Sequence, residues 1–123
     1  MLRFVVLEHD SPRGRHWDFM LEQGSVLLTW ALTAPPEGTE TIAAEALRDH
    51  RPAYLDFEGP VSGGRGSVTR WDQGTYQVQR RSEDELAVVL SGRRLVGQAT
   101  LRRVAGQPPA WEFRLAHSVL PDR

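Results

Sequence analysis

A period of two in the placement of large apolar residues constrains this chain more than any other feature. In His16-Trp17-Asp18-Phe19-Met20-Leu21-Glu22 the bulky residues Trp17, Phe19 and Leu21 take every second position, which puts them on one face of a β-strand. Gln23-Gly24 then turns into Ser25–Leu32, a plausible hairpin partner. Leu2 to Leu7 is a continuous apolar run, short enough for a buried strand. Further strands are expected at Ser67–Trp71, Thr75–Arg80, Glu85–Leu90, Arg94–Arg103 and Trp111–Leu115, with Asp72-Gln73-Gly74 and Ser91-Gly92 as turns. Two stretches read differently. Thr39–His50 favours helix by propensity but is short and uncapped, and Tyr54–Phe57 looks extended. Val61–Gly66 is a glycine-rich loop. Many short strands with turn residues between them predict an all-β barrel or sandwich, without repeats or an internal linker.

Composition narrows the chemistry. The 123 residues, 40% hydrophobic and 25% charged, suit one compact domain spanning 1–123. There is no Cys, which excludes thiolate catalysis, disulfides and zinc fingers. All 15 basic residues are Arg, so catalytic lysine chemistry is excluded as well. A formal net charge of -1 rules out a uniformly basic DNA-coating protein. With neither a signal-like segment nor an apolar run of membrane-spanning length, the expected location is cytoplasmic.

The polar positions of the alternating segment carry the candidate chemistry. His16, Asp18, Met20 and Glu22 share the face opposite the tryptophan, and His9 lies just past the end of the preceding strand. If the two strands pair as a hairpin, His9 reaches the same surface. Two imidazoles and a carboxylate with open positions suit a divalent metal such as Mn, Zn or Fe. The pattern alone is equally satisfied by the polar face of a half-exposed strand.

Several separate blocks then occur in a familiar order. They are Phe4-Val5-Val6, Glu8-His9-Asp10, His16-Trp17-Asp18-Phe19, Leu21-Glu22, Trp30-Ala31, Asp49-His50, Tyr54, Asp56-Phe57-Glu58-Gly59, Thr69, Trp71-Asp72, Gly74-Thr75-Tyr76 and Leu95-Val96-Gly97. In these blocks the chain resembles the 3′-phosphoesterase domain of bacterial DNA ligase D, from Phe4 to about Phe113. The resemblance implies a small β-barrel, here expected as a single stand-alone domain with short flanking loops or one short helix. It also implies removal of a 3′-phosphate or terminal ribonucleoside from DNA ends, dependent on a divalent cation, manganese above all, with zinc as an alternative. By position, His9, His16 and Asp18 would hold the metal, His50 would be a second-site imidazole, and Tyr54 the hydroxyl near it. The implied partners are primer–template 3′ ends and a repair ligase or polymerase; a monomer is expected.

Where the family pattern has a phosphate-binding Arg, this chain has Met20, and a thioether cannot replace a bidentate cation. Arg65 in the glycine-rich loop is the leading substitute, followed by Arg51 and Arg15, with Arg13 and Arg70 behind them. Glu22 is expected to hydrogen-bond a neighbouring side chain rather than to ligate. Two classes of function follow: a metal-dependent phosphoesterase, or a degenerate, non-catalytic module that binds nucleic-acid ends or protein.

Overall fold

The computed structural model describes residues 1–117. Nine strands form in chain order: β1 (Leu2–Ser11), β2 (Gly14–Gln23), β3 (Val26–Leu32), β4 (Ile42–His50), β5 (Gly59–Pro60), β6 (Ser67–Arg81), β7 (Glu85–Gly92), β8 (Val96–Arg103) and β9 (Ala110–His117). Eight of them hydrogen-bond in the order β1-β2-β3-β4-β9-β8-β7-β6, and β6 pairs back onto β1 to close an antiparallel barrel. The two-residue β5 adds to β6 from outside. Among the described residues no helix is long and apolar enough to cross a membrane.

The barrel interior is filled by the alternating residues. Phe4, Val6, Phe19, Leu21, Leu32, Val88, Leu90, Leu101, Phe113 and Leu115 are buried in one cluster, with Trp17, Trp71 and Trp111 packed against it. Each such side chain contributes roughly 1.5–3 kcal/mol by leaving water. A second cluster lies on the outside of the wall. Val5, Leu7, Met20, Leu27, Leu55 and Val68 are buried there, with Tyr54, Phe57 and Val61 against them. This explains why β1 reads as unbroken apolar sequence: one face fills the barrel and the other is roofed by the segment after β4.

Four expectations are corrected. Residues 42–50 form a strand rather than a helix, because β3 and β9 flank the segment and offer ladder partners on both sides; tertiary pairing overrides its alanine-rich propensity. Tyr54–Phe57 is not extended: Pro52–Leu55 make one 3₁₀ turn, with Pro at its start. Asp72-Gln73-Gly74 is not a turn either, since β6 runs through it without a break. A bulge opposite Val6/Leu7 bends the strand there, and at Gly74 any side chain would strike the backbone of Ser91 and Gly92. Finally, the face shared by Asp18 and Met20 is no solvent-exposed polar face. Met20 is only 1% exposed and Asp18 only 3%.

Candidate metal centre

The β1–β2 hairpin builds the centre. Its tight turn is braced by the Ser11 hydroxyl, which donates to the Gly14 carbonyl at 2.7 Å and accepts from the Arg13 N–H at 3.2 Å. The resulting register sets His9 directly opposite His16, and Leu7 opposite Asp18. The two imidazole rings stand 4.5 Å apart, and Asp18 reaches out on the same face from two pairs further along. His9 Nδ1 lies 3.1 Å from Asp18 Oδ2, and His16 Nε2 lies 3.1 Å from Asp18 Oδ1. One candidate ligand atom from each residue falls within 4.8 Å of the others.

Two observations test whether a cation fits. Asp18 Oδ1 is buried and has no hydrogen-bond partner, so His16 Nε2 is close to it without being directed at it. A buried carboxylate oxygen left without a donor is costly, and a cation shared by these atoms would relieve it. The second observation concerns His9, whose Nε2 donates to the Arg65 carbonyl at 2.7 Å. That contact leaves Nδ1 facing the carboxylate, either as the second N–H of an imidazolium or as a lone pair aimed at a shared cation. Two imidazole nitrogens and one carboxylate oxygen suit a divalent ion of the Mn, Fe or Zn type.

The electrostatics agree. Burial opposes the charged form of Asp18, yet the two imidazoles beside it, His16 close to Oδ1 and His9 against Oδ2, outweigh it and hold the carboxyl below its ordinary range. The Asp18 hydrogen bond raises the His9 ring above the ordinary imidazole value against the opposing effect of burial, with the Arg65 carbonyl assisting.

The other candidate residues are placed less compactly. The His50 ring packs edge-on against Tyr54 at 5.6 Å, and its Nδ1 bonds the Arg48 carbonyl at 2.8 Å. The ladder sets His50 opposite Leu27, and Leu27 opposite Glu22. Glu22 is four residues along β2 from Asp18, roughly 13 Å at the strand rise. His50 and Tyr54 therefore occupy the far end of the same outward wall, without direct contact to the trio. Glu22 accepts the Arg3 backbone N–H at 2.9 Å and stands equally far off. Arg15 pairs with Glu8 at 3.4 Å, and Arg51 is exposed where the 3₁₀ turn begins.

Arg65 is exposed, and its guanidinium is turned back onto its own loop, donating to the Ser62 carbonyl and hydroxyl at 2.7 and 3.1 Å. Its carbonyl is the part that reaches the centre. Sequence reasoning singled out the Arg65 side chain and missed this main-chain acceptor; the clustered glycines were the available signal. Of two surface clefts, of about 390 and 290 Å³, neither includes the trio.

Comparison with known proteins places this geometry in context. The family described as the DNA ligase D 3′-phosphoesterase domain matches residues 7–103. The chain is 36% identical over 112 residues to the multifunctional non-homologous end joining DNA repair protein LigD of Mycobacterium tuberculosis, covering 84% of this chain and 15% of that protein. It is 31% identical over 124 residues to the LigD protein of Pseudomonas aeruginosa, covering 90% of this chain and 14% of the relative. The chain thus spans about a seventh of the length of these curated relatives.

Proposed function

The chain belongs to the DNA ligase D 3′-phosphoesterase domain family, and on that premise we propose that it hydrolyses phosphoesters at DNA 3′ ends during end joining. The bonds in question link the end to a 3′-phosphate or a terminal ribonucleoside, and the proposed partners are primer–template ends together with a repair ligase or polymerase. The observation that carries this reading is the convergence of His9, His16 and Asp18 around a buried carboxylate oxygen that lacks a donor.

A divalent ion held there, with manganese proposed, supplies positive charge that draws electron density from a phosphoryl oxygen. The protein's own groups do the rest. Asp18 is kept ionised by its two imidazole neighbours, so the donor set carries one negative charge. His9 is fixed by the Arg65 carbonyl, and His16, half-buried at the rim, leaves its side of the centre open to a strand end. Arg65 and Arg51 are the proposed phosphate contacts, ahead of Arg15, which Glu8 already engages. His50, with Tyr54 against it, is proposed to stabilise developing negative charge or protonate a leaving oxygen. That role requires a substrate long enough to reach from the trio toward the far end of the wall.

The test is incubation of the purified chain with Mn²⁺ and primer–templates ending in a 3′-phosphate or a single ribonucleotide. Release of phosphate or ribonucleoside, lost in His16→Ala, is the expected result. A second reading is favoured by Met20, which buries a thioether on the wall between the trio and His50. In that reading the chain binds ends without turnover, and inactivity with retained binding to DNA ends would support it.

A further inference from the structure

The Val61–Gly66 loop makes a contact with the metal centre that neither its side chains nor the family reading accounts for. The loop is closed on itself: the Val61 N–H donates to the Gly66 carbonyl at 2.7 Å, and Arg65 grips Ser62 through two hydrogen bonds. Its flanks are tied to the ligand-bearing strand. Gly59 and Pro60 pair with Val68 and Ser67, which in turn pair with His9 and Asp10. At Gly66, with φ +89, the loop backbone presses directly on the hairpin. A methyl group there would overlap the Asp10 carbonyl oxygen and come within 2.8 Å of the Ser11 Cα. Glycine is the residue that tolerates both the left-handed φ and the close approach. That approach is what brings the Arg65 carbonyl to 2.7 Å from His9 Nε2.

We propose that this loop is a positioning latch for the metal centre, in which the Arg65 carbonyl selects the His9 tautomer whose Nδ1 can ligate, and Gly66 admits the backbone contact that makes this geometry. A carbonyl oxygen can only accept, so in this contact the proton of a neutral His9 resides on Nε2. The free Nδ1 lone pair is then aimed at the Asp18 side, where the donor set converges. Gly66 and the Arg65 main chain are positioning elements that act through His9 and touch no substrate. The inference rests on the reading of the trio as metal ligands.

The experiment measures Mn²⁺ binding to the full chain by titration calorimetry in the wild type and in Gly66→Ala. Loss of an outer hydrogen bond to a ligating histidine weakens metal binding by about 10–100-fold, and that fall in affinity is expected in folded Gly66→Ala although every ligand is retained. Wild-type affinity in the folded variant overturns the latch. Should Gly66→Ala fail to fold, ¹⁵N-histidine spectra of the wild-type chain decide the matter at a pH where the ring is neutral. A His9 signal protonated at Nε2 upholds the proposal, and one protonated at Nδ1 overturns it. If the wild-type chain bound no divalent ion, the reading of the centre would fail, while the tautomer measurement would still judge the latch.

Discussion

At His9 one ring faces a carboxylate on one side and a carbonyl on the other, and this makes the centre sensitive to protons. The raised His9 pKa means that, in the metal-free chain, its pair with Asp18 contributes fully below the ordinary imidazole value and is lost as pH rises through the folded value. The lowered Asp18 pKa has the opposite sense: its contribution is present above the ordinary carboxylate range and is lost as pH falls through the folded value. Metal-free protein should therefore melt at its highest temperature between these limits. Mn²⁺ affinity should climb as pH rises through the His9 transition, because the ion displaces the Nδ1 proton. Thermal melts with and without Mn²⁺ across pH check both signs. His16→Ala should abolish measurable Mn²⁺ binding while lowering the melting temperature by only a few degrees, since its ring is half-buried at the rim; calorimetry and circular dichroism separate the two effects. The trio was legible in the sequence because a period of two and a short turn suffice to align it. The Arg65 carbonyl was not, because a main-chain atom leaves no mark on residue identity.

Among the elements, β1 and β2 are covered on both faces, and this decides what Met20 does. Its side chain is buried in the outer cluster, so Met20→Ala should cost about 2–5 kcal/mol in urea unfolding, as for other buried truncations. The alternation in β2 foretold the inward face correctly and the outward face wrongly, because the roof over that wall comes from Tyr54, Leu55, Phe57 and Val61, far along the chain. β6 offers a second case. Asp72-Gln73-Gly74 has the composition of a turn, but its residues serve close packing. The buried Asp72 carboxylate accepts the backbone N–H groups of Arg93, Arg94 and Leu95 at 2.9, 3.1 and 2.9 Å, fixing the turn between β7 and β8. Asp72→Ala leaves three donors without that acceptor and should cost roughly 1–3 kcal/mol or more, read as a lower denaturation midpoint at unchanged metal affinity. Composition cannot distinguish a glycine that turns the chain from one that lets two backbones touch.

For the whole molecule, the all-β class was legible because strand patterns recur along nearly the full length and the turn residues between them are frequent. Closure was harder to see. The β1–β6 pairing joins Leu2 to Tyr76 and Asp10 to Ser67, a contact between distant segments that no local pattern encodes. Once closed, the barrel supplies the centre with a stiff support, with the 3₁₀ turn and the glycine-rich loop laid over its outer wall. A ligand that binds only the folded state at a hundred times its dissociation constant adds about 2.7 kcal/mol of stability. Chelation of a metal-loaded sample should therefore produce a clear downward shift in melting temperature, and this shift should be absent from His9→Ala.

Because β1 is hydrogen-bonded along both sides, it is an interior staple rather than a border of the sheet. Its amides at Val5 and Leu7 should take up deuterium only when the entire barrel opens, whereas those of Gly63 and Gly64 should exchange almost at once. The His9 ring would then be held between the slowest-breathing and the fastest-breathing parts of the chain. Trypsin, cutting after Arg65, could undo the grip while leaving its foundation standing.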